Sequence, residues 1–181
     1  MERFTSTITR VAAEGNTLVG LAAVYDTPTT RQRDFPGTES IARGAFDGVL
    51  SDDVVAVVNH DMTQLLGRTS SGTLRLTSRQ DGLWMELDLP DTTLGRDVRT
   101  LVARGDLAGM SFTAALGQIE RVKGGVVHRT FSRLVDVSVV TSPAYRETSV
   151  AVRNADPNVV REQLLRARAR VRTGRQGNDR G

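Results

Sequence analysis

The chain has 181 residues, 39% hydrophobic and only 4% aromatic, enough for one domain around a mainly aliphatic core of Val, Leu, Ala and Ile. It has no cysteine and two histidines, which excludes disulfides, a thiol nucleophile, cysteine-ligated zinc and a three-histidine metal site within one chain. The net charge of +3 is uneven: residues 161–181 hold seven arginines against Glu162 and Asp179, so the body is net acidic and no nucleic-acid-binding face is expected on it.

In chain order, Thr17 to Tyr25 reads as an apolar-rich strand. A polar loop follows from Asp26 to Thr38, where Pro28 and Pro36 disfavour regular structure and Arg31, Arg33 and Asp34 supply charge. Ser40 to Leu50 has helical spacing, with Ile41, Ala45, Phe46 and Leu50 on one side. Val54 to Val58 is a short buried strand leading to His60. Thr73 to Arg79 and Leu83 to Leu89 alternate in polarity and join around Asp81-Gly82, a hairpin signal. Leu83, Met85, Leu87 and Leu89 share one face, and Trp84, Glu86 and Asp88 the other.

Thr93 to Arg104 reads as a helix with Leu94, Val98, Leu101 and Val102 as its apolar stripe, and Gly105 is placed to stop it. Two or more strands then span Met110 to Ile119 and Val126 to Val140, separated by a turn at Lys123-Gly124-Gly125. The domain is expected to run over 1–153, with a C-terminal helix over 154–172 and a disordered basic tail over 173–181. No apolar run reaches about 18 residues and no charged-then-apolar leader opens the chain, so neither a membrane span nor a signal peptide is expected. The expected fold is mainly β with helices (α+β): a compact antiparallel β-barrel-like sheet surrounded by a few helices.

Three blocks carry candidate chemistry: Asn59-His60-Asp61, Gly109-Met110-Ser111-Phe112-Thr113, and Asp136-Val137-Ser138 with the run that follows. A serine hydroxyl is a poor nucleophile until a base takes its proton, and a histidine titrating near 6.5 suits that task. Taken singly, Ser111 reads as a residue on a solvated strand face and His60 as structural. Asp136 sits amid valines, where an unpaired carboxylate is costly to bury. A histidine ring N–H would satisfy it, and so would an ion pair with Arg133 or Arg153. Asp61, adjacent to His60, reads as a turn or structural residue. The order His…Ser…Asp differs from those of chymotrypsin, subtilisin and the α/β-hydrolases, and no Gly-x-Ser-x-Gly elbow is present.

With Leu65-Leu66-Gly67-Arg68, Thr141-Ser142-Pro143-Ala144, Gly20-Leu21-Ala22-Ala23-Val24-Tyr25 and Glu39-Ser40-Ile41-Ala42-Arg43-Gly44-Ala45-Phe46, these blocks resemble the tailed-phage prohead proteases. Those are capsid maturation enzymes related to herpesvirus assemblin, and the resemblance covers roughly residues 17 to 152. It implies an assemblin-like fold and a serine endopeptidase with Ser111 as nucleophile, His60 as base and Asp136 as the orienting residue, where the family more often has glutamate. It also implies His128 as the rival third member, because assemblin relatives use a second histidine, and Arg146 as a candidate for an oxyanion or substrate loop. No cofactor or metal is required. The implied partners are the major capsid protein and its scaffold segment, inside an immature phage head in the host cytoplasm. A second copy of the chain stays open as a partner; a membrane and nucleic acid are not expected. Two other readings remain: a catalytically silent assembly module of the same fold, and a nucleic-acid binder acting through the arginine tail.

Overall fold

The computed structural model describes residues 2–4, 8–9, 16–30, 37–141 and 150–152. Its strands are β1 (Glu2–Phe4), β2 (Ile8–Thr9), β3 (Thr17–Val24), β4 (Thr29–Thr30), β5 (Thr38–Ile41), β6 (Val55–Val58) and β7 (Asp61–Arg68). The second half adds β8 (Leu74–Ser78), β9 (Gly82–Asp88), β10 (Gly109–Leu116), β11 (Ile119–Val122), β12 (Gly125–His128), β13 (Phe131–Val140) and β14 (Val150–Val152). One α-helix, α1 (Thr93–Arg104), and a 3₁₀ turn at Asp47–Val49 complete the described residues.

Three sheets form. The first runs β1-β10-β13-β6-β7, the second β11-β12-β5-β4, and the third β14-β3-β9-β8 with β2 also on β3. Among the described residues none closes into a barrel, which corrects the expected architecture. Two pairings are parallel, β13 on β6 and β12 on β5, so the first two sheets are mixed rather than antiparallel. A parallel pair needs a long crossover. Here it joins segments about eighty positions apart, an arrangement that local sequence does not encode.

Local signals set much of the rest. The β8–β9 hairpin turns between Ser78 and Gly82, and β9 buries Leu83, Met85 and Leu87 while Trp84, Glu86 and Asp88 are half-buried. Helix α1 keeps the expected bounds. Thr92 caps its start by accepting from the Gly95 N–H at 3.2 Å, worth about 1 kcal/mol. Gly105, at φ 85°, ends it in the left-handed conformation that glycine adopts without strain. Val98 and Val102 are buried, while Leu101 at the margin of the stripe is exposed.

The helix expected over Ser40 to Leu50 does not form. Ser40 and Ile41 belong to β5 and pair with Val127 and His128 of β12. Gly44, at φ 80°, then turns the chain out of any helical path. Ile41, Ala45 and Phe46 are buried as their spacing suggested, but through a strand and a turn. The core is largely aliphatic, with a phenylalanine cluster at its centre. Phe46 stacks on Phe131 at 4.7 Å and meets Phe112 edge-on at 5.1 Å. Such contacts add about 0.5–1.5 kcal/mol per pair beyond area burial. The cluster lies beneath β10 and β13, the two strands that carry the site.

Candidate active site

Strands β10 and β13 are antiparallel, with Ser111 opposite Ser138 and Thr113 opposite Asp136. Alternation along each strand points these four side chains to one face of the sheet. Met110, Phe112 and Ala114 take the other face into the core. A patch of four polar side chains is thereby fixed by register alone.

His60 reaches this patch from the turn between β6 and β7. Val58 pairs with Asp61, so Asn59-His60 is a two-residue hairpin loop, and both residues have positive φ, 50° and 59°. That is the geometry in which Asn-Gly is preferred. Asparagine suits its position; histidine stands where glycine would be unstrained, at a cost of about 1–2 kcal/mol. The turn is clamped to β13. The Asn59 N–H donates to the Val139 carbonyl at 2.9 Å, the Thr141 N–H to Asn59 Oδ1 at 3.1 Å, and the His60 N–H to Ser138 Oγ at 3.2 Å. Local strain held by surrounding structure is a recurrent feature of functional sites. Asp61 takes no part: its carboxylate accepts from the Thr63 N–H and hydroxyl and from Gln64 Nε2, capping the start of β7.

His60 Nε2 lies 2.6 Å from Ser111 Oγ, and Nδ1 lies 2.8 Å from Asp136 Oδ1. Thr113 Oγ1 and Ser138 Oγ are each 3.2 Å from Nδ1, and Ser138 Oγ donates to Asp136 Oδ1 at 2.6 Å. The His60 side chain is 10% exposed, that of Asp136 1%, and Ser111 is wholly buried. This corrects the solvated strand face that Ser111 taken singly suggested, because β10 is covered on both faces. Burial pushes the Asp136 carboxyl upward and is the largest single influence on it. Hydrogen bonds from His60, Ser138 and Thr113, with the charge on His60, outweigh burial and hold it below its ordinary value. Asp136 is therefore a carboxylate at neutral pH and can only accept. In the neutral imidazole the facing Nδ1 carries the proton, which leaves Nε2 bare to accept from the Ser111 hydroxyl.

His128, the rival third member, sits elsewhere. It ends β12 in the second sheet, fully buried, with Nε2 3.1 Å from Glu39 Oε2 and its ring stacked on Phe131. The Lys123-Gly124 turn is followed by β12, which pairs with β5 in parallel and sets His128 beside Ile41. Arg146, the 154–172 helix, the 173–181 tail and Arg31, Arg33 and Asp34 lie outside the described residues. Sequence reasoning missed Ser138 and Thr113, and also β7. The signal was present: asparagine opening a two-residue gap between apolar segments is a tight-turn pattern. Among the described residues no group of three or more His, Asp or Glu side chains is arranged to hold a metal ion.

A serine, a histidine and a carboxylate joined in this order form a triad-like arrangement. The family profile described as caudovirus prohead serine protease matches residues 5–162. The chain belongs to that family. Membership makes it a serine protease of phage capsid maturation. Comparison with curated proteins gives no match. No described helix of this prohead protease is long and apolar enough to cross a membrane.

Proposed function

We propose that this protease is the endopeptidase that cuts the scaffold-like segment of the major capsid protein, and its own C-terminal region, within the immature head. In this reading Ser111 Oγ attacks the scissile carbonyl carbon as its proton passes to His60 Nε2. Asp136 accepts from Nδ1–H, fixes the tautomer and stabilises the imidazolium as it forms. Collapse of the tetrahedral adduct breaks the C–N bond, and Nε2–H protonates the departing amine. Water then repeats the sequence on the acyl-enzyme and frees Ser111. Backbone N–H groups after Thr141, with Arg146, are the candidate donors to the oxyanion. The observation that carries the reading is the hydrogen-bonded chain of 2.6 and 2.8 Å through His60, in a member of a serine protease family.

Incubation with the major capsid protein of the same genome, followed by sequencing of the new termini, tests it. Cleavage is expected with the wild-type chain and none with Ser111→Ala. Retained cleavage by purified Ser111→Ala would remove Ser111 as nucleophile. The complete burial of Ser111 favours a second reading, a silent assembly module of the same fold. Covalent labelling of Ser111 by a serine-directed phosphonate separates the two, since only an activated hydroxyl reacts.

A further inference from the structure

We infer that Ser138 is a positioning residue of this site, coupling the Asp136 carboxylate to the strained turn that presents His60; the inference rests on the triad reading above. Ser138 is fully buried on β13, in register with Ser111. Its oxygen lies 3.2 Å from His60 Nδ1 and also makes two hydrogen bonds of opposite sense. It donates to Asp136 Oδ1 at 2.6 Å and accepts from the backbone N–H of His60 at 3.2 Å. A hydroxyl has one proton, and that proton is committed to the carboxylate. The lone pair facing His60 therefore ties down the backbone of the residue whose φ of 59° is the most strained feature of the turn. One atom thus fixes both ends of the His60–Asp136 contact, the carboxylate oxygen and the peptide that carries the imidazole.

Thr113 differs in kind. Its hydroxyl lies 3.2 Å from the same Nδ1 and adds to the hydrogen bonds on Asp136, but it does not reach the His60 backbone. A network of this type stabilises through shared members more than its separate pairs suggest. Removing Ser138 Oγ takes a donor from Asp136 and an acceptor from the turn together. The carboxylate then carries a less delocalised charge toward Nδ1 and favours the imidazolium, while the ring loses its fixed aim at Ser111.

The test uses the full chain and reads the ring directly. With His60 and His128 the only histidines, the His60 imidazole resonance can be assigned and titrated by NMR. In Ser138→Ala its midpoint is expected to rise by at least about half a unit as the charged form gains on the neutral one. Turnover on capsid protein is expected to fall by about 10²-fold through kcat with KM little changed, as for misaligned reacting groups. Ser138→Thr, which restores the hydroxyl, is expected to recover most of both. A midpoint that stays or falls in folded Ser138→Ala overturns the inference, as does a folded Ser138→Thr no better than alanine. Should the alanine variant fail to fold, the same titration is read in Ser138→Cys, a weak donor of similar size, where an unmoved midpoint overturns it equally. The titration needs no substrate. A wild-type chain that does not cleave would refute the proposed function, while an unmoved midpoint would refute only the role of Ser138.

Discussion

His60 and His128 each hold a carboxylate oxygen at hydrogen-bond distance, 2.8 Å for Asp136 and 3.1 Å for Glu39, and each is largely removed from water. They are nonetheless different devices. His128 lies in a regular strand with its ring stacked on Phe131, where Glu39 and the core hold it. His60 sits in a turn of left-handed backbone, and its second nitrogen faces a serine at 2.6 Å. A buried histidine–carboxylate pair is thus a poor marker of chemistry. The group on the other ring nitrogen, and a backbone strained to present it, are the better ones.

The comparison is broken most directly at the serine. Ser111→Ala is expected to lose all measurable cleavage of the capsid protein. Its thermal midpoint should move only by the equivalent of about 1 kcal/mol, because the buried hydroxyl and its hydrogen bond to His60 are lost and no large cavity opens. Loss of folding would give Ser111 a structural role instead.

The two histidine–carboxylate pairs should then separate by what they affect. Asp136→Asn keeps the shape but removes the charge that stabilises the imidazolium and permits the wrong tautomer. In the chymotrypsin-type triad that change costs about 10⁴ in turnover, and here a loss of at least about 10²-fold is expected. His128→Gln is expected to cost less than about 10-fold in turnover but to lower stability by about 1–3 kcal/mol, since buried Glu39 loses a partner. Steady-state cleavage and urea denaturation on both variants check the pair. The reverse ranking in turnover would shift the third role to His128.

A smaller effect distinguishes the pairs by pH. Asp136 is held below its ordinary value, so it contributes stability that is fully present above the unfolded carboxyl value, about 3.9. That contribution is lost only as pH falls through the lower folded value. The stability difference between wild type and Asp136→Asn should therefore not shrink between neutrality and about pH 4, and should shrink below it. Denaturation curves across that range check the sign, and a difference that already shrinks between pH 7 and 5 would mean a raised carboxyl. The smallest effect concerns the turn. His60→Gly and His60→Ala should both be inactive, but the glycine variant should be the more stable by about 1 kcal/mol, because only glycine relaxes at φ 59°. Equal stability would show that the turn stores no strain.

Sequence and structure contributed unequally. Helix α1, the β8–β9 hairpin and the alternating face of β9 were legible because capping residues, turn glycines and polarity periods are local. Ser40 to Leu50 was misread for the same reason. Apolar spacing reports which residues are buried, but pairing with a strand some eighty residues away decided the backbone conformation.

By itself the sequence determined the residue types available to the site and, through its resemblance to prohead proteases, which of them to compare. It did not determine their surroundings. The burial of Ser111, the register that sets Thr113 against Asp136 and Ser111 against Ser138, and the clamp of the Asn59-His60 turn onto β13 all come from pairings between distant strands. Tertiary structure alone decided these, because a strand's alternation specifies two faces but leaves its neighbours, and hence what each face meets, to the rest of the fold.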